Sequence, residues 1–348
     1  MDKAKIVIVD DSAFMRMIIS DVIKSDEKLE VIAKLKNGKE LLEKVEELKP
    51  DLITLDIEMP ELDGLSTLKE LKRKGIKYPV IMLSSLTKEG SIQTMKCLEY
   101  GAVDFVEKAS GMTTNKEMLM ETLIDKINGI IENNNNKMIR NRSVIKNKPA
   151  TVNREIINNK KIDAIIIGAS TGGPKALQEV LTKIEGNIEV PVLVVQHMPK
   201  GFTKAFAERL NKICPLKVVE AEDGMAIEKN TIYIAPGGFH MTVGQTKKIK
   251  LNVEPSIWGV RPAVDKLFES AVNVYKGNLV SAILTGMGRD GANGTVLVKD
   301  MGGVTISEDE STCTIYGMPK AAYETGKVDL VLPLQQIGEK ITKIVKGR

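Results

Sequence analysis

The feature that most constrains this chain is a rhythm of ten short apolar runs, rich in Val and Ile, most of which stop at an acid, a glycine, a proline or a polar residue. In the first portion the runs "KIVIVD", "VIAKL", "DLITLD", "YPVIMLS" and "DFVEK" alternate with segments of helical apolar spacing near 13–24, 38–48, 62–74, 89–100 and 115–131. Five such βα units predict a parallel sheet covered on both faces. The second portion repeats the style without repeating the sequence, in "IDAIIIG", "VPVLVVQH", "TIYIAP", "NLVSAILTG" and "GGVTIS". Between these lies "HMTVGQTKKIKLNV", which reads as a local hairpin turning at Gly244–Gln245. The expected architecture is α/β, with two doubly wound parallel-sheet domains at 1–127 and 161–348. No fixed-period repeat interrupts either half.

Residues 128–160 separate the halves. The stretch "ENNNNKMIRNRSVIKNKPATVNREIINNKK" is rich in asparagine and lacks sustained apolar periodicity, so a flexible basic linker is expected there. It also explains the net charge of +4: residues 132–161 hold eight Lys/Arg against two Glu, leaving the rest of the chain slightly acidic. A basic tether without aromatic residues is a poor reader of bases, so no nucleic acid partner is expected. The chain has no apolar run long enough to cross a membrane, and "MDKAKIVIVDD" meets acids before a signal-like region could form. A cytoplasmic protein is expected. Cys97, Cys214 and Cys313 are odd in number and scattered, which points away from a disulfide framework or a zinc site.

In open parallel sheets ligands bind beyond the carboxyl ends of the strands. In the first half those ends carry Asp10, Asp11, Asp56, Ser84 and Lys108. Three carboxylates on one rim would repel one another unless a hard cation such as Mg²⁺ lay among them, and an adjacent hydroxyl and lysine suit a phosphoryl group. The plainer alternative is that each acid caps the helix that follows it. The ordered set "IVDDS", "LDIEMPELDG", "MLSS" and "VEK" resembles the receiver domain of bacterial and archaeal response regulators over residues 3–125. The resemblance implies a flavodoxin-like fold in which Asp56 accepts a phosphoryl group from a chemotaxis histidine kinase. It also implies that Asp10, Asp11, Asp56 and the backbone carbonyl of Glu58 hold Mg²⁺, and that Ser84 and Lys108 contact the phosphoryl oxygens. Met59, Pro60, Asp63 and Gly64 are expected to shape the loop.

In the second half "DAIIIGASTGGPKAL" places Ser170 where an apolar strand enters a glycine-rich turn. Three roles are open to it: nucleophile, phosphate contact or turn residue. Dinucleotide and P-loop spacings both fail, and the turn, with glycines two residues before Ser170 and two and three residues after it, shares the geometry of a strand-to-helix elbow. The chain contains only two histidines, His197 and His240. His197 ends "VPVLVVQH" on the rim expected to carry Ser170, whereas His240 opens the hairpin. Asp290 follows the strand in "SAILTGMGRDG", where it could orient an imidazole or cap the helix at 292–300. Separations of 27 and 93 residues permit a triad without constituting a motif.

Together "IGASTGGP", "VVQHMP", "IYIAPGGFHM", "RPAVDKLFESA" and "ILTGMGRDG" resemble the catalytic domain of the chemotaxis-specific protein-glutamate methylesterase family over residues 162–348. The resemblance implies a Rossmann-like α/β domain with Ser170 as nucleophile, His197 as general base and Asp290 as its orienting partner. The backbone N–H of Met287 would serve the oxyanion hole, with Thr171 lining the pocket. Ala263 stands where this family commonly has serine. The substrates implied are γ-glutamyl methyl esters, and specific glutamines, of methyl-accepting chemoreceptors; hydrolysis itself needs no cofactor. A monomer working at membrane receptors without membrane insertion is expected, its unphosphorylated receiver limiting access to Ser170. Two rival outputs are a nucleotide-binding reductase, disfavoured by the glycine spacing, and a scaffold or DNA-binding module, for which no helix-turn-helix is evident.

Overall fold

Val, Ile and Leu fill both faces of the central strands, as strands covered by helices on two sides require. The computed structural model describes residues 3–85, 87–108, 116–142 and 160–347, without the side chains of 116–121 and 136–142. The chain divides into two compact units, Met1–Ile139 and Arg140–Arg348.

In the first unit β1 (Ala4–Val9), α1 (Ala13–Lys24), β2 (Leu29–Leu35), α2 (Gly38–Leu48), β3 (Leu52–Asp56), α3 (Gly64–Arg73), β4 (Val80–Ser84), α4 (Lys88–Tyr100), β5 (Asp104–Glu107) and α5 (Lys116–Arg142) alternate. The five strands pair in parallel in the order β2-β1-β3-β4-β5. The order reverses between β1 and β3, so the crevice at that switch point lies beyond Val9 and Asp56. Expected and observed helices agree closely except for α5, which continues to Arg142. Residues 128–142 of the expected linker are therefore helical, and residues 143–159 lie outside the described residues. Leu123, Ile127, Ile130 and Asn133 form a buried stripe along α5. Lys126 is tied to Asp104, and Asn128 to Asp26. Asparagine costs a helix only about 0.7 kcal/mol per residue, so a run of it does not end a helix anchored in this way.

The second unit contains β6 (Ala164–Ala169), α6 (Gly173–Leu181), β7 (Val192–Gln196), α7 (Phe202–Asn211), β8 (Lys217–Glu220) and β9 (Thr231–Ile234). There follow β10 (His240–Val243), β11 (Ile249–Asn252), α8 (Val264–Tyr275), β12 (Leu279–Ile283) and α9 (Ala292–Asp300). The last elements are β13 (Val304–Glu308), α10 (Met318–Glu324), β14 (Leu330–Leu332) and α11 (Leu334–Val345). Seven parallel strands take the order β14-β13-β12-β6-β7-β9-β8, reversing between β6 and β12. The short strands β8 and β14 at the two edges were not anticipated. The β10–β11 hairpin is antiparallel, but its turn is centred on Gln245–Thr246. Lys247 donates to Gly244 O at 2.9 Å and takes a left-handed φ of 54°, in place of the expected turn at Gly244–Gln245. Met241, Val243 and Ile249 of the hairpin join Val264, Leu267 and Phe268 of α8 in one buried cluster with Ile166 and Val195 of the sheet. Among the described residues no helix is long and apolar enough to cross a membrane.

Candidate active site

Each unit brings its chemistry-bearing side chains to the switch point of its own sheet. In the first unit Lys108 sits beyond β5, its N–H continuing the ladder to Ser84 O at 2.7 Å. Its Nζ lies 2.6 Å from Asp56 Oδ2 and 2.9 Å from Asp10 Oδ2. Burial pushes the Asp56 carboxyl up to about 6 against the opposing pull of Lys108, and Asp10 adds to the rise. Burial alone would lower the Lys108 ammonium, but Asp56 and Asp10 hold it above its ordinary value.

The capping alternative fails for these acids. Ser12 caps α1 through Met15 N, and Asp63 caps α3 through Ser66 N at 2.7 Å, as suits a loop-shaping residue. Gly64 is required by close approach: a Cβ there would lie 2.2 Å from the carbonyl oxygen of Asp56. Carboxylate oxygens of Asp10, Asp11 and Asp56 lie within 4.8 Å of one another, a donor set of hard oxygens suited to Mg²⁺. The Glu58 N–H points toward Asp56 Oδ1 at 3.4 Å. Ser84 is fully buried, and its hydroxyl shares a 2.6 Å hydrogen bond with Thr94 of α4. That hydroxyl is therefore engaged with α4 and not with the carboxylates.

In the second unit the ladders of β6 run one residue past the strand ends. Ser170 N donates to Thr285 O at 3.0 Å, and His197 N donates to Ala169 O at 3.1 Å. These bonds bring the chain after β6, β7 and β12 to one rim. His197 Nε2 lies 2.8 Å from Asp290 Oδ2. An ionised carboxylate only accepts, so Nε2 carries the proton of the neutral ring and Nδ1 keeps the lone pair. Asp290 is 2% exposed and also accepts from Val264 N at 2.6 Å and Asp265 N at 2.9 Å. It thus serves the start of α8, not α9, whose N-cap is Gly291.

Ser170 is half-buried, and among the described residues its hydroxyl has no hydrogen-bond partner. The structure brings His197 and Asp290 into contact and places Ser170 on the same rim without a bond to the imidazole. Gly286 packs directly against the serine: a Cβ there would lie 2.8 Å from Ser170 Cβ and 2.4 Å from Met318 Sδ. Gly286 O accepts from Met318 N at 2.8 Å, while the N–H of Met287 is left without a partner among the described residues. Thr171 is buried, and its carbonyl accepts the Thr285 hydroxyl at 3.0 Å. His240 is locked elsewhere: Nδ1 accepts from Ala263 N at 3.2 Å and Nε2 donates to Pro255 O at 3.1 Å. Its burial holds it below the ordinary histidine value.

Three buried residues of this site were not singled out from the sequence. Gln196 Nε2 donates to both Ser170 O, at 2.9 Å, and His197 O, at 3.0 Å. Glu308 accepts from Thr285 N at 2.7 Å beneath the turn. Asp265 accepts from Gly291 N and Gly294 N. Each works through a side chain reaching across to another element, a relation that leaves no spacing signal in the chain.

The family described as "CheB methylesterase" matches residues 165–341, and "Response regulator receiver domain" matches residues 6–120. A Clostridium acetobutylicum protein named "Protein-glutamate methylesterase/protein-glutamine glutaminase" is 51% identical over 353 residues, covering 100% of this chain and 99% of its own length. A Pyrococcus abyssi protein of the same name is 42% identical over 355 residues, covering 99% of this chain and 94% of its own. The Thermotoga maritima CheB methylesterase catalytic domain superposes with a TM-score of 0.52 at 43% identity, covering 53% of this chain and 100% of that domain. With both units matched in order and relatives aligned end to end, the chain belongs to the CheB methylesterase family, as a response regulator receiver domain joined to a methylesterase domain.

Proposed function

We propose that the chain hydrolyses glutamate γ-methyl esters on methyl-accepting chemoreceptors, releasing methanol, and deamidates specific receptor glutamines by the same acyl chemistry. The observation that carries this reading is the His197–Asp290 pair at 2.8 Å on the rim that also presents Ser170. Ser170 Oγ attacks the ester carbonyl while His197 Nδ1 takes its proton, and the Met287 N–H donates to the oxyanion. The imidazolium, steadied by Asp290 at Nε2, returns the proton to the leaving methoxide, or to the amide nitrogen that leaves a glutamine as ammonia. Water then adds to the glutamyl-serine ester with His197 again as base, freeing the glutamate and restoring Ser170. Thr171 walls the pocket.

The receiver regulates this activity. Asp56 accepts a phosphoryl group from a chemotaxis histidine kinase, Lys108 neutralises the transferring oxygens, and Ser84 turns from Thr94 toward the phosphoryl group. Asp10, Asp11, Asp56 and the Glu58 carbonyl would hold Mg²⁺, which when bound supplies charge neutralisation for that transfer. The protein works in the cytoplasm as a monomer, engaging receptors without entering the membrane. Methanol release from methylated receptor membranes tests the reading: S170A should lower the rate by at least about 10⁴-fold. Near-parental release by S170A would refute the assignment.

A further inference from the structure

The starts of α8 and α9 are tied to each other by an exchange of carboxylates. Val264 N and Asp265 N, at the start of α8, donate to Asp290 Oδ2 and Oδ1 at 2.6 and 2.9 Å. Gly291 N and Gly294 N, at the start of α9, donate to Asp265 Oδ1 at 3.0 and 2.7 Å. Neither helix draws a side-chain cap from its own N-cap residue, Ala263 or Gly291. Each therefore depends on the acid carried by the other.

We infer that Asp265 is a positioning residue for Asp290, holding the orienting carboxylate of the proposed triad from both sides. Its N–H binds Asp290 Oδ1, and its carboxylate binds the N–H of Gly291, the residue joined directly to Asp290. The Asp290 side chain and the peptide that carries it are thus fixed by one buried residue, 8% exposed. The consequence reaches His197, because Asp290 Oδ2 is shared between Val264 N and the imidazole Nε2. Without Asp265 Oδ1 the first turn of α9 loses its acceptor, Asp290 shifts, and the ring is no longer held in the tautomer that leaves Nδ1 basic. A residue serving only as a helix cap would affect stability without acting through Asp290.

The inference rests on the esterase reading, and the full-length protein tests both. Methanol release from methylated receptor membranes is measured for the parent, D265A, D265S, D265N, D290A and D265A/D290A, with thermal unfolding followed in parallel. D265A should lower kcat by about 100-fold at unchanged KM, the scale of a misplacement near 1 Å. D265N keeps an oxygen where both amides point and should recover most of that loss. In the D290A background D265A should add nothing further. With only two histidines in the chain, the His197 ring N–H is resolvable by proton NMR, and D265A should broaden it beyond detection while D265N preserves it. If D265A does not fold, the milder truncation D265S carries the same expectation of lowered kcat.

Parental kcat in D265A or D265S, D265N no better than D265A, or an undiminished loss in the D290A background would each overturn the inference. A parent protein that releases no methanol would instead overturn the esterase reading.

Discussion

The two amide protons of Gln196 are divided between the carbonyls of Ser170 and His197, so one side chain sets the separation of the proposed nucleophile and base. Among the described residues its own Oε1 is buried without a partner. That is a cost near 1–3 kcal/mol sustained to keep the donors where the carbonyls need them. Q196L should lower kcat by about 10²-fold, because both turns lose a shared anchor. Q196E should lower the unfolding midpoint further than Q196L, since a carboxylate there would face two carbonyl oxygens. Equal midpoints for the two variants would contradict this account. That Ser170, His197 and Asp290 lie on one rim was legible in the sequence because apolar runs announce strand ends. Gln196 was not, because in sequence it is only the residue before a histidine, and its role arises from the β6–β7 pairing.

At the scale of elements, the loops after the strands decide which acids remain free for chemistry. Ser12 and Asp63 cap α1 and α3, leaving Asp10 and Asp56 to face Lys108. D63A should cost about 1 kcal/mol of stability, the ordinary value of an N-cap. G64A should cost more, on the order of 1–3 kcal/mol, because its Cβ meets the backbone oxygen of Asp56 at 2.2 Å. Thermal unfolding of the two variants checks the ranking, and the reverse order would show that the β3–α3 loop yields. Long strands and amphipathic helices were readable from periodicity. The edge strand β8 was missed because "KVVE" is four residues long with charged ends, and β14 because its three residues are half-exposed. The end of α5 was misplaced because its anchoring comes from Asp26 and Asp104, on other elements.

At the scale of the whole chain, two parallel sheets each reverse their strand order at a site, and the first of these sites makes the stability of its unit depend on pH. Asp56 is raised from 3.8 to about 6, so the folded receiver holds that proton at pH values where the unfolded chain has released it. Between those values the unfolded state binds fewer protons, and stability falls as pH rises. D56N removes the ionisation and should be the more stable protein above pH 6, by up to about 3 kcal/mol, with the difference vanishing toward pH 4. Mg²⁺ should reverse the trend for the parent, stabilising it above pH 6 and losing its effect below, because protonated Asp56 is a poor ligand. The same substitution separates regulation from chemistry. A small-molecule phosphodonor with Mg²⁺ should raise methanol release by the parent, D56N should keep the basal rate without stimulation, and a chelator should abolish stimulation alone. Loss of basal release in D56N would mean that Asp56 contributes to the ester site and would break the division of labour between the two sheets.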